Sequence, residues 1–523
     1  MSESATQDNQ LRPSLQVASI VAAIYFLMHM LTATHYGYFR DALYYLACSE
    51  HLAWGYVDQP PLIALLGWIT RHTIGTSLPA LLFWPALAGA GRIVLTAAFA
   101  RELGARKFGM ALAAVLAATP GIWFAIDHEF AMNALEVLFW TGCAFVVVRM
   151  INTGNLRLWL AFGAIAGLGL ENKYSIAVFA MALVAGLLLT AQRKLLFTPW
   201  LLAGGGIALL IFLPNLLWNI HHHWPFLELM HNIRVSGRDV VVPPLAFIGQ
   251  QILLMSPANF PFWFGGLVYY FVARDAKPYR VFGWTFLITI GFFMAAHGKN
   301  YYSAPAYSIV LAAGAVAAQK LLYAKKLAAG SLIPAVLRPG VFVWIIAGML
   351  PLLPLVLPVL PIDTFLKYQE RLPIGVPHTE HSHEGAALPQ HYADEFGWPE
   401  MVATVASVYN SLSPEERAKT AIYTENYGQA AAIDFFGGQY GLPKAICPHQ
   451  NYFLWGPRQY TGEIMILVGA GSSETAAESF ASVRTAALLN NPHGLFYERR
   501  PILLCRGLKQ NLQTLWPSLK RWD

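Results

Sequence analysis

Apolar residues run in long blocks through the first 360 positions and thin out after them. Blocks of this kind, separated by short polar stretches, predict transmembrane helices, each needing roughly 20 apolar residues, or fewer inside a packed bundle. About eleven blocks qualify, over residues 15–33, 78–99, 108–126, 131–148, 156–170, 174–191, 199–219, 246–272, 281–296, 302–319 and 340–360. Within the first, Val17 to Thr32 reads as a retained helix, because the polar start MSESATQDNQLRP shows no small-residue cleavage site. The run from Pro61 to Ile69 is too short to span and reads as a helix lying along the outer surface or re-entering it.

After Pro361 charged residues become common and no run is long enough to span. Thr420–Tyr423 predicts a short strand leading into a helix at Tyr427–Phe436, with Gly437 and Gly438 as its stop. Ile464–Val468 and Pro501–Cys505 predict further buried strands. GAGSSE, from Gly469, resembles a phosphate loop only superficially, for it lacks the full glycine spacing and a following Lys. The predicted fold class is an α-helical polytopic membrane protein with a C-terminal soluble α/β domain. Its parts are a cytoplasmic N-terminal tail (1–14), a transmembrane domain (15–360) with a first outward loop at 34–77, and an extracytoplasmic soluble domain (361–523).

Composition agrees: 56% hydrophobic residues and a mean hydropathy of +0.45 lie outside the ordinary soluble range. The net charge of +6 does not form one basic patch, so no nucleic-acid partner is implied. Instead the bases orient the helices, since Lys and Arg accumulate in cytoplasmic loops. One alternate set of connections holds Arg101, Arg106 and Lys107, then Arg149 and Arg157, then Arg193 and Lys194, then Arg274, Lys277 and Arg280, then Lys320, Lys325, Lys326 and Arg338. With that set inside, the N-terminus is cytoplasmic and everything after Pro361 is outside. Cys48, Cys143, Cys447 and Cys505 show no metal-ligand spacing, and only Cys447 and Cys505 are candidates for a disulfide.

The outward set carries the candidate chemistry. Its first loop, THYGYFRDALYYLACSEHLAWGYVDQPP (Thr34–Pro61), holds Asp41 and Asp58, with Glu50 and His51 between them, in a chain where only 12% of residues are charged. If Asp41 to Trp54 is helical, Asp41, Tyr44, Tyr45 and Cys48 share one side and Glu50 falls on the other. An aromatic side around a carboxylate suits a cleft for a sugar or lipid headgroup, with Tyr44 and Tyr45 against the ligand. An interfacial helix with aromatics at headgroup depth is the equal alternative.

IDHEFAMN brings together Asp127, His128 and Glu129, with Asn133 just inside the next helix. These residues suggest an acid, a base or a metal site, although taken alone a solvated turn that caps the following helix is the favoured reading. Lys173 in ENK and Lys299 in HGKNYY are pinned near the bilayer rim, where a base pairs with phosphate or simply snorkels. His221 to His223, Glu228 and His231 add to the same face. In the tail, His378, Glu380, His381, His383 and Glu384 are dense enough for zinc or copper, and equally suit a polar linker.

Taken together, YFRDALYYLACSEHLAWGYVDQPPL, FAIDHEFAMNALEVLFW, GLGLENKYS and KNYYSAPAY resemble bacterial members of the protein O-mannosyltransferase and aminoarabinose transferase group, membrane glycosyltransferases of the GT-C superfamily. The resemblance covers about 34 to 310, with the motifs in family order; the tail is similar to an extra periplasmic domain of a bacterial subgroup. It implies a GT-C type fold whose membrane part is catalytic, in the bacterial inner membrane. The enzyme would take a sugar from a polyprenyl-phosphate donor and pass it, with inversion, to a lipid, glycan or protein acceptor on the outer face.

Residue by residue, Asp41 matches the family's first-loop catalytic acid, although Ala42 breaks the usual Asp-Glu pair. Asp58 matches a later acid that helps hold a metal or the donor, with Gln59 in place of the family's lysine. The second-loop acid corresponds to Asp127 or Glu129, and Asn133 aligns as well. Lys173 and Lys299 match lysines near the donor phosphate, and Tyr302 follows in the same motif. With no lysine at 59, the leaving phosphate must be stabilised by Lys173, Lys299, Arg234 or Arg238, or the donor differs. Asp58 and His128 are the candidate ligands for a divalent metal; no other cofactor is implied. A lipid or solute transporter is the alternative function, disfavoured because no internal repeat is seen and the charges gather at one face, Arg92 excepted.

Overall fold

The computed structural model describes residues 2–324, 333–372, 375–376, 379–381, 386–494 and 500–523, with side chains described from Leu15 onward and not at 333–334. Each of the eleven apolar blocks is helical. Six helices among the described residues are long and apolar enough to cross a membrane: Leu15–Thr32, Leu78–Glu102, Met132–Thr153, Pro199–His221, Asn300–Leu322 and Ala335–Leu355. The number becomes eight if each of two bent pairs is one span. The other three blocks form helices of 15, 13 and 16 residues, Leu158–Asn172, Ile176–Leu188 and Arg280–Ala295. Fewer helices than the expected eleven therefore meet the length test, because apolar composition continues through the turns that end these three.

The bends have local causes. Lys107–Ala118 and Gly121–Asp127 meet at 64° across Pro120, which lacks a backbone donor and disfavours helix in the residue before it. Pro244–Leu254 and Pro257–Val272 meet at 95°, where Ser256 has φ +63° before a proline. Met132–Thr153 stops at Gly154, whose φ of +68° is the left-handed cap that closes a helix end. Where Phe260–Val272 crosses Tyr307–Leu322, a Cβ at Gly266 would strike the Val310 carbonyl and one at Gly314 that of Phe262. Glycine lets these two backbones touch, as small residues do between membrane helices.

The chain divides into two compact units. The first comprises Met1–His35, Leu82–Leu216 and Val241–Phe365 and holds the apolar helices, packed around buried residues such as Trp123, Trp140, Phe179 and Tyr307. The second joins Tyr36–Leu81, Leu217–Val240 and Leu366–Asp523, so the first loop and the tail belong to one body.

The second unit contains a four-stranded sheet in the order β1-β2-β4-β3, with β1 Thr420–Thr424, β2 Ile464–Val468, β3 Phe480–Leu488 and β4 Pro501–Leu508. β1 runs parallel to β2, and the other pairs are antiparallel. β2 is central and wholly buried, which its unbroken apolar run IMILV anticipates. The helix Tyr427–Phe436 begins at Asn426, whose side chain accepts from the Gly428 amide in a capping box with Gln429. β3 is absent from the sequence reading. It is an edge strand, largely exposed, with an irregularity between Thr485 and Ala487, so FASVRTAAL carries no buried face to betray it. All four cysteines are free and buried.

Candidate active site

In the second unit, the first loop folds into the helix Arg40–Glu50, nearly all of which is buried. The two acids of this helix point to different partners, as the 100° step requires. Glu50 is held at 2.7 Å by both Arg71 and Lys444. Asp41, 27% exposed, presents Oδ1 to two donors: the Tyr427 hydroxyl at 2.7 Å and Arg40 Nε at 3.3 Å. Arg40 also reaches Asp394 at 3.5 Å. Burial pushes the Asp394 carboxyl up to about 7, against the lowering by Arg40.

Asp58 lies close enough to Asp41 to feel its charge. Its Oδ1 accepts from the Tyr44 hydroxyl at 2.8 Å, and that hydroxyl accepts from the Asn451 amide at 3.3 Å. Burial pushes the Asp58 carboxyl up to about 7; the Tyr44 bond opposes this, and the Asp41 charge adds to it. Tyr44 and Tyr45 are 1% and 4% exposed, so the aromatic side expected to face a ligand is packed instead. The Tyr44 ring packs against that of Tyr427, tilted by 42° with 4.7 Å between centroids, and so braces the acids from within. Gln59 is fully buried, with its amide on Cys48 Sγ at 3.7 Å. A lysine there would face the interior in this chain, which accounts for the neutral residue.

The first unit holds a second polar group. Lys173 Nζ donates to Asn133 Oδ1 at 2.7 Å and to Glu136 Oε2 at 2.9 Å, and its ammonium lies 5.0 Å from the Tyr302 ring centroid. Ser175 donates to the other Glu136 oxygen. The Asn172 amide, donating to the Met132 carbonyl at 2.8 Å, ties the helix end that carries Lys173 to the helix that carries Asn133 and Glu136. The sequence reading brings out Asn133, Lys173 and Tyr302 but misses Glu136. An acid alone inside an apolar block was the available signal.

Asp127, expected among the catalytic acids, is fully buried in an ion pair with Arg92 at 2.7 Å, and accepts from Tyr25 at 2.8 Å. Arg92 lies over the Trp123 ring at 3.9 Å. His128, expected as a metal ligand, meets His29 at 3.2 Å between Nδ1 atoms. Glu129 is partly buried and Lys299 likewise.

Among the residues proposed for the phosphate, Arg238 of the second unit is bound to Asp239 at 3.0 Å and lies 4.0 Å from Glu380, while Arg234 is exposed. Among the described residues, no group of three or more His, Cys, Asp or Glu is placed to hold a metal ion. Of the histidine-rich tail segment, His378, His383 and Glu384 lie outside the described residues.

Residues 58–218 match the family described as dolichyl-phosphate-mannose-protein mannosyltransferase. A lipid A galacturonosyltransferase, RgtD, from Rhizobium johnstonii is 25% identical over 236 residues, 41% of this chain and 48% of that protein. The chain thus spans about half the length of the curated relative it matches. Among solved structures, ArnT from Cupriavidus metallidurans in the apo state is similar with a TM-score of 0.60 at 13% identity, over 93% of this chain and 97% of that one. The same protein bound to undecaprenyl phosphate gives 0.57 at 14%, with the same coverage. At such identity the structures speak for the fold, and they do so over nearly the whole chain. The comparisons thus give a family match inside the membrane part and a fold similar to that of ArnT over nearly the whole chain.

Proposed function

We propose that the protein is a multi-pass membrane enzyme that transfers a sugar from a polyprenyl-phosphate donor to an acceptor on the outer face of the bacterial inner membrane, with inversion. The observation that carries this is the setting of Asp41: a part-exposed carboxylate with Oδ1 tied by Tyr427 and Arg40, among otherwise buried helix neighbours. Asp41 acts as general base. Its Oδ2 takes the proton of an acceptor hydroxyl as that oxygen bonds to the anomeric carbon; the bond from this carbon to the phosphate oxygen breaks, and the polyprenyl phosphate leaves with the electron pair. The leaving group is a good one, so placement matters more than base strength. The undecaprenyl phosphate of the ArnT complex and the lipid A substrate class of RgtD support a polyprenyl donor and a lipid or glycan acceptor.

Lys173, with Lys299 and Tyr302, is assigned to the donor phosphate, because an ammonium already fixed by two oxygens and an aromatic ring is positioned at little entropic cost. Asp58 supports the acceptor side through Tyr44. Asp127 acts as a brace, since both of its neighbours, Arg92 and Tyr25, are internal. The N-terminus is assigned to the cytoplasm and residues 361–523 to the periplasm. The test is turnover of a polyprenyl-phosphate sugar by the purified protein, read as release of the lipid phosphate with a lipid A-type acceptor present. Release that Asp41→Asn abolishes in a folded protein supports the reading; undiminished release by that variant overturns it.

A further inference from the structure

The tail brings Tyr427 to the first loop. Tyr427 is the first residue of the helix Tyr427–Phe436, whose start is set by the Asn426 cap. Gly428 lets that start approach closely, because a Cβ there would run into the side chain of Arg40. As a result the Tyr427 ring lies 4.7 Å from that of Tyr44, the Arg40 guanidinium lies 5.4 Å from the Tyr427 centroid, and the Tyr427 hydroxyl donates to Asp41 Oδ1 at 2.7 Å. A second tail residue works in parallel. Asn451 donates its amide to the Tyr44 hydroxyl that holds Asp58, and its Oδ1 accepts from the Val57 amide at 3.2 Å. Each acid of the first loop is thus reached by the tail, directly or through one tyrosine.

Resting on the reading of Asp41 as the base, we propose that Tyr427 is a positioning residue of the transfer reaction, by which the tail sets the orientation of Asp41. Its hydroxyl and Arg40 Nε both engage Oδ1, so Oδ2 is the oxygen this reading assigns to the acceptor proton. A hydroxyl donating to a carboxylate favours the charged form, the one that accepts a proton. Arg40 is itself shared with Asp394, so Tyr427 is the donor most nearly dedicated to Asp41. The tail is therefore part of the catalytic apparatus, and its removal would cost turnover even where the membrane part stays folded.

The test uses the full-length protein. Tyr427→Phe keeps the ring and loses one hydroxyl; kcat should fall about tenfold, the scale of a lost hydrogen bond to a charged group. The donor KM should stay within about twofold, and the acid limb of the rate–pH profile should move to higher pH. Replacing Tyr427 with 3-fluorotyrosine, a stronger donor of nearly the same shape, should move that limb the other way, so the proposal stays testable if the phenylalanine variant folds poorly. An unmoved limb in either folded variant overturns the proposal. If Asp41→Asn abolishes turnover while Tyr427→Phe behaves as the parent, only the role of Tyr427 fails. If Asp41→Asn is active, the reading beneath it fails.

Discussion

Two pairs of acids, one pair in each unit, are held in opposite ways. In the first, Asp127 is sealed against a guanidinium, and Glu136 against an ammonium and a hydroxyl, both acids being at most 4% exposed. In the second, Asp41 and Asp58 are held chiefly by tyrosine hydroxyls, with Arg40 as a longer contact to Asp41. A buried carboxylate paired with a fixed cation is held immobile, and removing one partner of such a pair strands the other in the interior. A carboxylate held by a neutral donor keeps its geometry while its proton remains exchangeable. The first arrangement builds a scaffold or a phosphate clamp, and the second suits a base.

The largest expected effects come from neutralising one acid in each unit. Asp41→Asn should lower kcat by a hundredfold or more, on the order expected for a lost general base, with an unchanged melting temperature by fluorimetry. Asp127→Asn should do the reverse, lowering the melting temperature while the folded fraction turns over. Next in size, Arg92→Ala leaves Asp127 alone in the interior and should destabilise the protein by about 3–5 kcal/mol. A combined Arg92→Met and Asp127→Leu should recover most of that loss in the same thermal assay.

Lys173→Met separates a phosphate clamp from a brace within the first unit. A clamp should show a donor KM raised roughly tenfold with a smaller change in kcat, the pattern of lost ground-state binding. A brace would show loss of stability without that change in KM. The smallest effect is in pH. Asp58 and Asp394 both have carboxyls pushed up to about 7 in the folded protein. Raised folded values mean that the folded state holds these protons more tightly, so their contribution to stability is full below the unfolded value of about 4 and is lost as pH rises towards 7. Melting temperature should decline over that interval, and Asp58→Asn and Asp394→Asn should each remove part of the slope.

Much of the fold is legible in the chain. The apolar blocks mark every long helix, and IMILV and PILLC mark strands whose burial leaves an unbroken apolar run. The edge strand Phe480–Leu488 is not legible, because exposure removes the pattern that burial imposes. The opposed directions of Asp41 and Glu50 follow from helical geometry alone, and the structure gives them separate partners. The packing of Tyr44 and Tyr45 does not follow, since an aromatic face looks the same in a sequence whether it meets a sugar or the tail.

What is local can be read along the chain: where apolar length makes a helix, which residues share its face, and where glycine, proline and caps end it. Only the tertiary structure decided which donors meet which acids. Arg92 and Asp127 stand 35 residues apart, and Tyr427 and Asp41 stand 386 apart. Spacing of that order carries no periodic signal, and a tyrosine or an arginine reads alike beside any of its possible partners. Pairing is settled when apolar burial folds the chain back on itself and a desolvated carboxylate must find a donor.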